Sequence, residues 1–95
     1  MKLLHVRTVR SESMYPTLEA GQYILIRRSR RYCIGDVVVF VQSKKEHIKR
    51  IASMEGDFCY VLGDNPRFSK DSRDFGYVSK KNILGRVVWP REVKK

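Results

Sequence analysis

Six stretches of the chain carry the apolar patterning of short β-strands, and no segment sustains a helical period. Apolar and polar residues alternate weakly from Leu3 to Val9, and Tyr23 to Arg28 is a short apolar run ending in arginines. The strongest signal is Asp36 to Gln42, where four valines and a phenylalanine favour β-structure. Its unbroken run from Val37 to Val41 predicts a central strand covered on both faces. Glu46 to Ser53 follows the polar turn Ser43–Lys45, and Phe58 to Leu62 follows the turn Glu55-Gly56-Asp57. Ile83 to Trp89 closes the set, with Gly85 marking a bulge or a close backbone approach. Short strands separated by turns predict a small, strongly twisted, mostly β fold.

Between Gly63 and Gly76 the periodicity stops. The stretch GDNPRFSKDSRDFG consists of turn formers and charges around Phe68 and Phe75. Ordering so long a polar loop is costly in conformational entropy unless something uses it, although an ordinary solvated loop has the same composition.

Composition narrows the classes. At 95 residues the chain reads as one domain, 1–95. Its longest apolar run is five residues, against the roughly 20 that cross a bilayer, so no transmembrane segment is expected. Arg7 and Arg10 interrupt the Lys2-Leu3-Leu4 start before a secretory signal core forms, which favours a cytoplasmic location. Cys33 and Cys59 are read as reduced, partly buried thiols. Together with His5 and His47 they make no metal-binding spacing, and neither a metal nor a cofactor is expected.

Twenty basic residues against ten acidic ones give a net charge of +10, densest at Arg27, Arg28, Arg30 and Arg31. Such a patch attracts polyanions, and it leaves weak peripheral membrane association open. Without interleaved aromatics or a recognisable binding motif, no dedicated DNA or RNA partner is expected.

Two segments can do chemistry beside the polar loop. In Ser11-Glu12-Ser13-Met14-Tyr15-Pro16-Thr17-Leu18, two hydroxyls alternate, Met14 and Leu18 offer anchors, and Pro16 stiffens the chain between them. That arrangement can hold a serine at the lip of a groove, although Ser and Thr beside Pro also mark ordinary turns. In His47-Ile48-Lys49-Arg50-Ile51, a strand places Lys49 on one face with His47 and Ile51. A lysine there either snorkels to solvent or, if desolvated, provides a neutral amine near pH 7.

Taken in order, SESMYPTL, GDVVVF, HIKRI with MEGD, and GDNPRFSKDSRDFG with ILGRV resemble the motif series of type I signal peptidases, the Ser/Lys serine proteases, over residues 9–88. Within that family the likeness is greatest to the small soluble maturation proteases of nickel-containing superoxide dismutase. The resemblance implies the twisted, barrel-like β core shared with repressor autoproteases. It also implies Ser13 as nucleophile, Lys49 as general base, and Ser11 with the Ser13 N–H as the oxyanion hole. Ser69 would orient the lysine, Asp71 and Arg73 would form a structural ion pair near the site, and Asp64 and Asn65 would flank it. Met14, Tyr15 and Pro16 would border the substrate groove. The chain departs from the usual pattern at Glu12, where most members have glycine, at Glu55 in place of proline, and at Pro66 in place of arginine. Most members also carry N-terminal membrane helices and a second β-domain.

The function implied is a soluble serine endopeptidase that removes an N-terminal extension from a protein or peptide precursor, with the nickel superoxide dismutase precursor as the specific candidate. A repressor-type autoprotease is disfavoured because only 12 residues precede Ser13. The alternative from another class is a noncatalytic basic β-module that binds nucleic acid or protein. It explains the arginines but not the lysine strand placed between two serine-bearing loops.

Overall fold

The computed structural model describes residues 4–91; Lys2 and Leu3, read above as the start of the chain's first apolar stretch, lie outside the described residues. Among the described residues seven strands are formed: β1 (Leu4–Thr8), β2 (Tyr23–Arg27), β3 (Val37–Gln42), β4 (Lys45–Glu55), β5 (Phe58–Leu62), β6 (Val78–Ser79) and β7 (Ile83–Trp89). They build one antiparallel sheet in the order β1-β2-β7-β3-β4-β5-β6. The strand expected at the centre is there, since β3 lies fourth of the seven.

Strand β3 shows why its run is apolar without alternation. Val37 and Val39 point into a core with Met14, Leu18, Ile24, Ile26 and Val87. Val38 and Phe40 point the other way, into a second core with Ile51, Cys59, Val61, Val78 and Ile83. Each face of the sheet is therefore covered near its middle, and each fully buried Val or Ile contributes about 1.5–3 kcal/mol. The β3–β4 hairpin turns at Ser43 and Lys44, both with positive φ (53° and 65°), which matches the twist that a two-residue hairpin requires.

The sheet curls without closing into a barrel. Register shifts interrupt the β2–β7, β3–β7 and β4–β5 ladders, and such irregularities increase local twist. Gly85 allows a close approach between strands: a Cβ there would sit 3.0 Å from the backbone carbonyl of Arg27. Among the described residues the barrel-like expectation stops at this open sheet, because β6 is only two residues long and β1 pairs with β2 alone.

Two sequence expectations are corrected. The stretch 63–76 is not entirely irregular: it holds a 3-10 turn at Pro66–Phe68 and a short helix, α1 (Ser72–Phe75). The missed signal is Asp71-Ser72-Arg73-Asp74, in which Asp71 and Asp74 cap each other's backbone N–H groups reciprocally. Both cysteines are free, but Cys33 is exposed and only Cys59 is buried, where desolvation pushes its thiol pKa up. Arg27, Arg28, Arg30 and Arg31 are all exposed, in line with a solvated basic surface.

Candidate active site

Ser13 sits in the loop between β1 and β2. That loop is closed at its base by hydrogen bonds from Val9 N–H to Gln22 O and from Gly21 N–H to Val9 O. Within it, Tyr15 N–H donates to Glu12 O and Leu18 N–H to Met14 O. Met14 and Leu18 are buried in the first core, and the anchor at Met14 fixes the chain immediately after Ser13.

Lys49 comes from β4, opposite Val38 of β3. Both Ser13 and Lys49 are only 4% exposed, and Lys49 Nζ donates to Ser13 Oγ at 2.9 Å. Ser11 Oγ donates to Ser13 Oγ at 3.1 Å and accepts from Ser13 N–H at 3.3 Å. The Glu12 side chain lies on the exposed side of this turn. Burial lowers the Lys49 pKa, because an apolar setting disfavours the ammonium, while the Asp71 carboxylate pulls in the opposite direction. His47, two residues along β4, stacks on Phe40 at 5.5 Å and meets Phe75 at 5.9 Å. Its pKa is lowered, first by desolvation, against a backbone contact with Gln42 and with the help of Lys49 and Lys45.

The 63–76 loop closes over this pair. Asp71 is fully buried at the cap of α1. Burial alone would raise its pKa, but hydrogen bonds from Arg73, Gly63 N–H and Ser69 outweigh that and hold it well below the usual carboxylate range. Arg73 grips it with two prongs, Nε at 2.9 Å and Nη2 at 3.0 Å.

Ser69 does not bond to Lys49 in this arrangement. Its hydroxyl donates to Asp71 Oδ2 at 2.8 Å. The physical reason is that an ammonium offers no lone pair, whereas a buried carboxylate is a strong acceptor. Ser69 therefore bears on the lysine through Asp71.

A second network, built on residues the sequence reading gave little weight, pins the polar loop to the nucleophile loop. Arg50 donates from Nε and Nη2 to Asp64 at 2.9 and 2.8 Å, and from Nη1 to Gly35 O at 2.7 Å. Thr17 Oγ1 donates to the same carboxylate. Asp64 N–H points at Met14 Sδ, Asn65 N–H donates to Ser13 O at 2.8 Å, and Asn65 Nδ2 donates to Glu12 O at 3.0 Å. Sequence spacing carries no signal that Arg50 and Thr17 meet at Asp64, since the three lie 14 to 47 residues apart.

Gly63 makes the contact possible. A Cβ there would lie 2.7 Å from the Ser13 carbonyl oxygen and closer still to the Ser69 side chain. Gly63→Ala should therefore cost about 1–3 kcal/mol of stability through overpacking, with activity falling further than the fold. Thermal unfolding and peptide turnover of that variant, measured side by side, check this.

An open groove of about 450 Å³ leads to Ser13 and Lys49. One wall is the chain from Val6 to Arg10, the other is β4 from Glu46 to Lys49, and Ser11, Ser13 and Met14 line it as well. Tyr15 and Pro16 lie outside these walls, on the exposed side of the nucleophile loop. Among the described residues both walls offer open strand edges: β1 pairs only with β2, and the β5 ladder on β4 begins at Arg50. Among the described residues no helix is long and apolar enough to cross a membrane.

The profile of the family described as Peptidase S24-like matches residues 4–88. Mitochondrial inner membrane protease subunit 1 of Schizosaccharomyces pombe is 34% identical to this chain, over 93% of the chain and 75% of that protein. Signal peptidase I of Bacillus caldolyticus is 27% identical, over 86% and 78%. Mitochondrial ATP-independent inner membrane protease subunit 1b of Arabidopsis thaliana is 35% identical, over 81% and 63%. The chain belongs to the Peptidase S24-like family and is a serine endopeptidase of the type I signal peptidase kind.

Proposed function

We propose that the chain removes an N-terminal extension from a protein precursor with a Ser13–Lys49 dyad. The observation that carries this reading is the 2.9 Å contact between Lys49 Nζ and Ser13 Oγ, both buried at the groove. When the amine is neutral, the same separation lets the Ser13 hydroxyl donate its proton to Nζ as Oγ attacks the scissile carbonyl. Nζ then delivers that proton to the leaving amine, and water repeats the cycle on the acyl-enzyme. The oxyanion forms beside Ser13 N–H and Ser11 Oγ, which bond each other at rest and turn towards the new charge.

Substrate enters as an added strand between β1 and the first half of β4, where main-chain hydrogen bonds supply affinity without demanding a sequence. Relatives named signal peptidase I and inner membrane protease support a precursor as substrate. The likeness to maturation proteases of nickel-containing superoxide dismutase makes that precursor the first one to test. A soluble, cytoplasmic enzyme is part of this proposal, and fractionation of the expressed chain between membrane and supernatant decides it.

Incubating the precursor with the enzyme and reading the new N-terminus by mass spectrometry tests the function. A single cut at the mature N-terminus, absent with Ser13→Ala, is the expected result. Cutting that persists in Ser13→Ala would contradict the proposal.

Ser69 acts in this scheme as a positioning residue. Ser69→Ala removes one hydrogen bond from Asp71 and leaves its carboxylate more attractive to the Lys49 ammonium. We expect kcat/KM near neutral pH to fall about tenfold, as one lost charge-assisted hydrogen bond suggests, and the pH limb to move to higher pH. Profiles of kcat/KM against pH for both proteins check it.

A further inference from the structure

The groove is crossed by a charge pair that the catalytic scheme does not use. Arg7 Nε lies 2.8 Å from Glu46 Oε1, and Nη2 lies 3.3 Å from Oε2. Arg7 belongs to β1 and Glu46 to β4, strands separated in the sheet by β2, β7 and β3. This is therefore no neighbouring-strand pair; it reaches from one groove wall to the other. Two strand edges that admit one strand between them stand about 10 Å apart, a span that a long Arg–Glu pair bridges. An extended peptide in the groove passes along this bridge, and every second side chain faces it.

We infer that the Arg7–Glu46 bridge sets the specificity of the groove by favouring an acidic substrate side chain about three residues from the scissile bond. The inference rests on the peptidase reading above. The distance follows from β4, where Glu46 precedes Lys49 by three positions, or about 10 Å of strand. The sign follows from the lining: among the described residues Arg7 and Arg10 stand against Glu46 as its sole carboxylate. An acidic side chain shares the Arg7 guanidinium, which keeps N–H groups beyond those Glu46 uses, and it also meets the field of Arg10. A basic side chain must draw Glu46 from Arg7 and then sits beside two guanidinium groups. The pair is partly exposed, with its side chains 33% and 43% accessible, so its effect is modest and falls with salt.

The test uses ten-residue peptides of alanine, serine and glycine in which a single Glu or Lys is moved one position at a time. Cleavage is read by mass spectrometry, and peptide binding to Ser13→Ala by fluorescence anisotropy. The expected result is a Glu-over-Lys ratio in kcat/KM of about tenfold at the third or fourth residue from the cut. That ratio should collapse towards one in Arg7→Gln and increase in Glu46→Gln. Cleavage with a ratio near one at every position, or a ratio unmoved by Arg7→Gln, overturns the inference and leaves the peptidase intact. Glu-selective binding that Arg7→Gln abolishes, without cleavage by the parent protein, supports the bridge and overturns the dyad. Absence of both binding and cleavage overturns both.

Discussion

Lys49→Met should reduce cleavage of a precursor by about 10⁴-fold or more, to the same floor as Ser13→Ala, and the double variant should fall no lower. Nucleophile and base act as a unit, so once either is missing the other has nothing left to contribute. The geometry gives no substitute base. His47 shares the face of β4 but stacks between Phe40 and Phe75, with Nε2 engaged at Gln42 O. Asp71 is occupied by Arg73, Gly63 and Ser69. Methionine keeps most of the lysine stem's volume, so the apolar contacts survive and the loss reads on chemistry rather than folding. Single-turnover measurements on the three variants distinguish this from additive losses, which would indicate two independent roles.

The second large effect is on pH. Cleavage needs Lys49 neutral, so kcat/KM should rise with pH from the acid side and level off above the lowered pKa of the amine. Groups facing that amine are Asp71, which stays ionised and opposes the shift, and His47, whose own pKa burial lowers. The stability consequence has a definite sign. With a folded pKa below the ordinary value of 10.5, the unfolded chain binds the proton more tightly between the two values. The penalty is absent above the unfolded value, grows as pH falls between the two, and is complete below the folded one. Lys49→Met should therefore unfold at a higher temperature than the parent at neutral pH, and that gain should vanish above about pH 10.5, where both states are neutral. Melting curves of both proteins across that range check it.

How far the sequence foretold this structure depends on which force acts at each residue. Val37 to Val41 announced a doubly covered central strand because burial on both faces leaves no room for polar alternation, and β3 lies in the middle of the sheet. Gly85 announced a close approach because only a missing Cβ admits the Arg27 backbone. Ser13 and Lys49 were legible through their motif, and the fold brings them together across 36 residues. Helix α1 was hidden because four residues are too few for a periodicity, and its cap uses Asp74 where glutamate is the usual signal. Ser69's partner was also hidden, because the choice between Lys49 and Asp71 turns on which of two buried charges offers lone pairs. The Arg50–Asp64–Thr17 network could not be read at all from spacing, since its members join three separate loops and strands. Open ends of the sheet escaped for a related reason: closure depends on how far β6 extends, and local patterning says little about a strand of two residues.

The most direct test of the Ser/Lys assignment is an NMR titration of the Lys49 side-chain nitrogen in a Ser13→Ala background, where the sample cannot cut itself. The amine should lose its proton well below the ordinary lysine value of 10.5, and its midpoint should coincide with the rising limb of kcat/KM in the parent enzyme. An ordinary lysine midpoint in an enzyme fully active at neutral pH would contradict the account, because a protonated Lys49 cannot take the proton from Ser13.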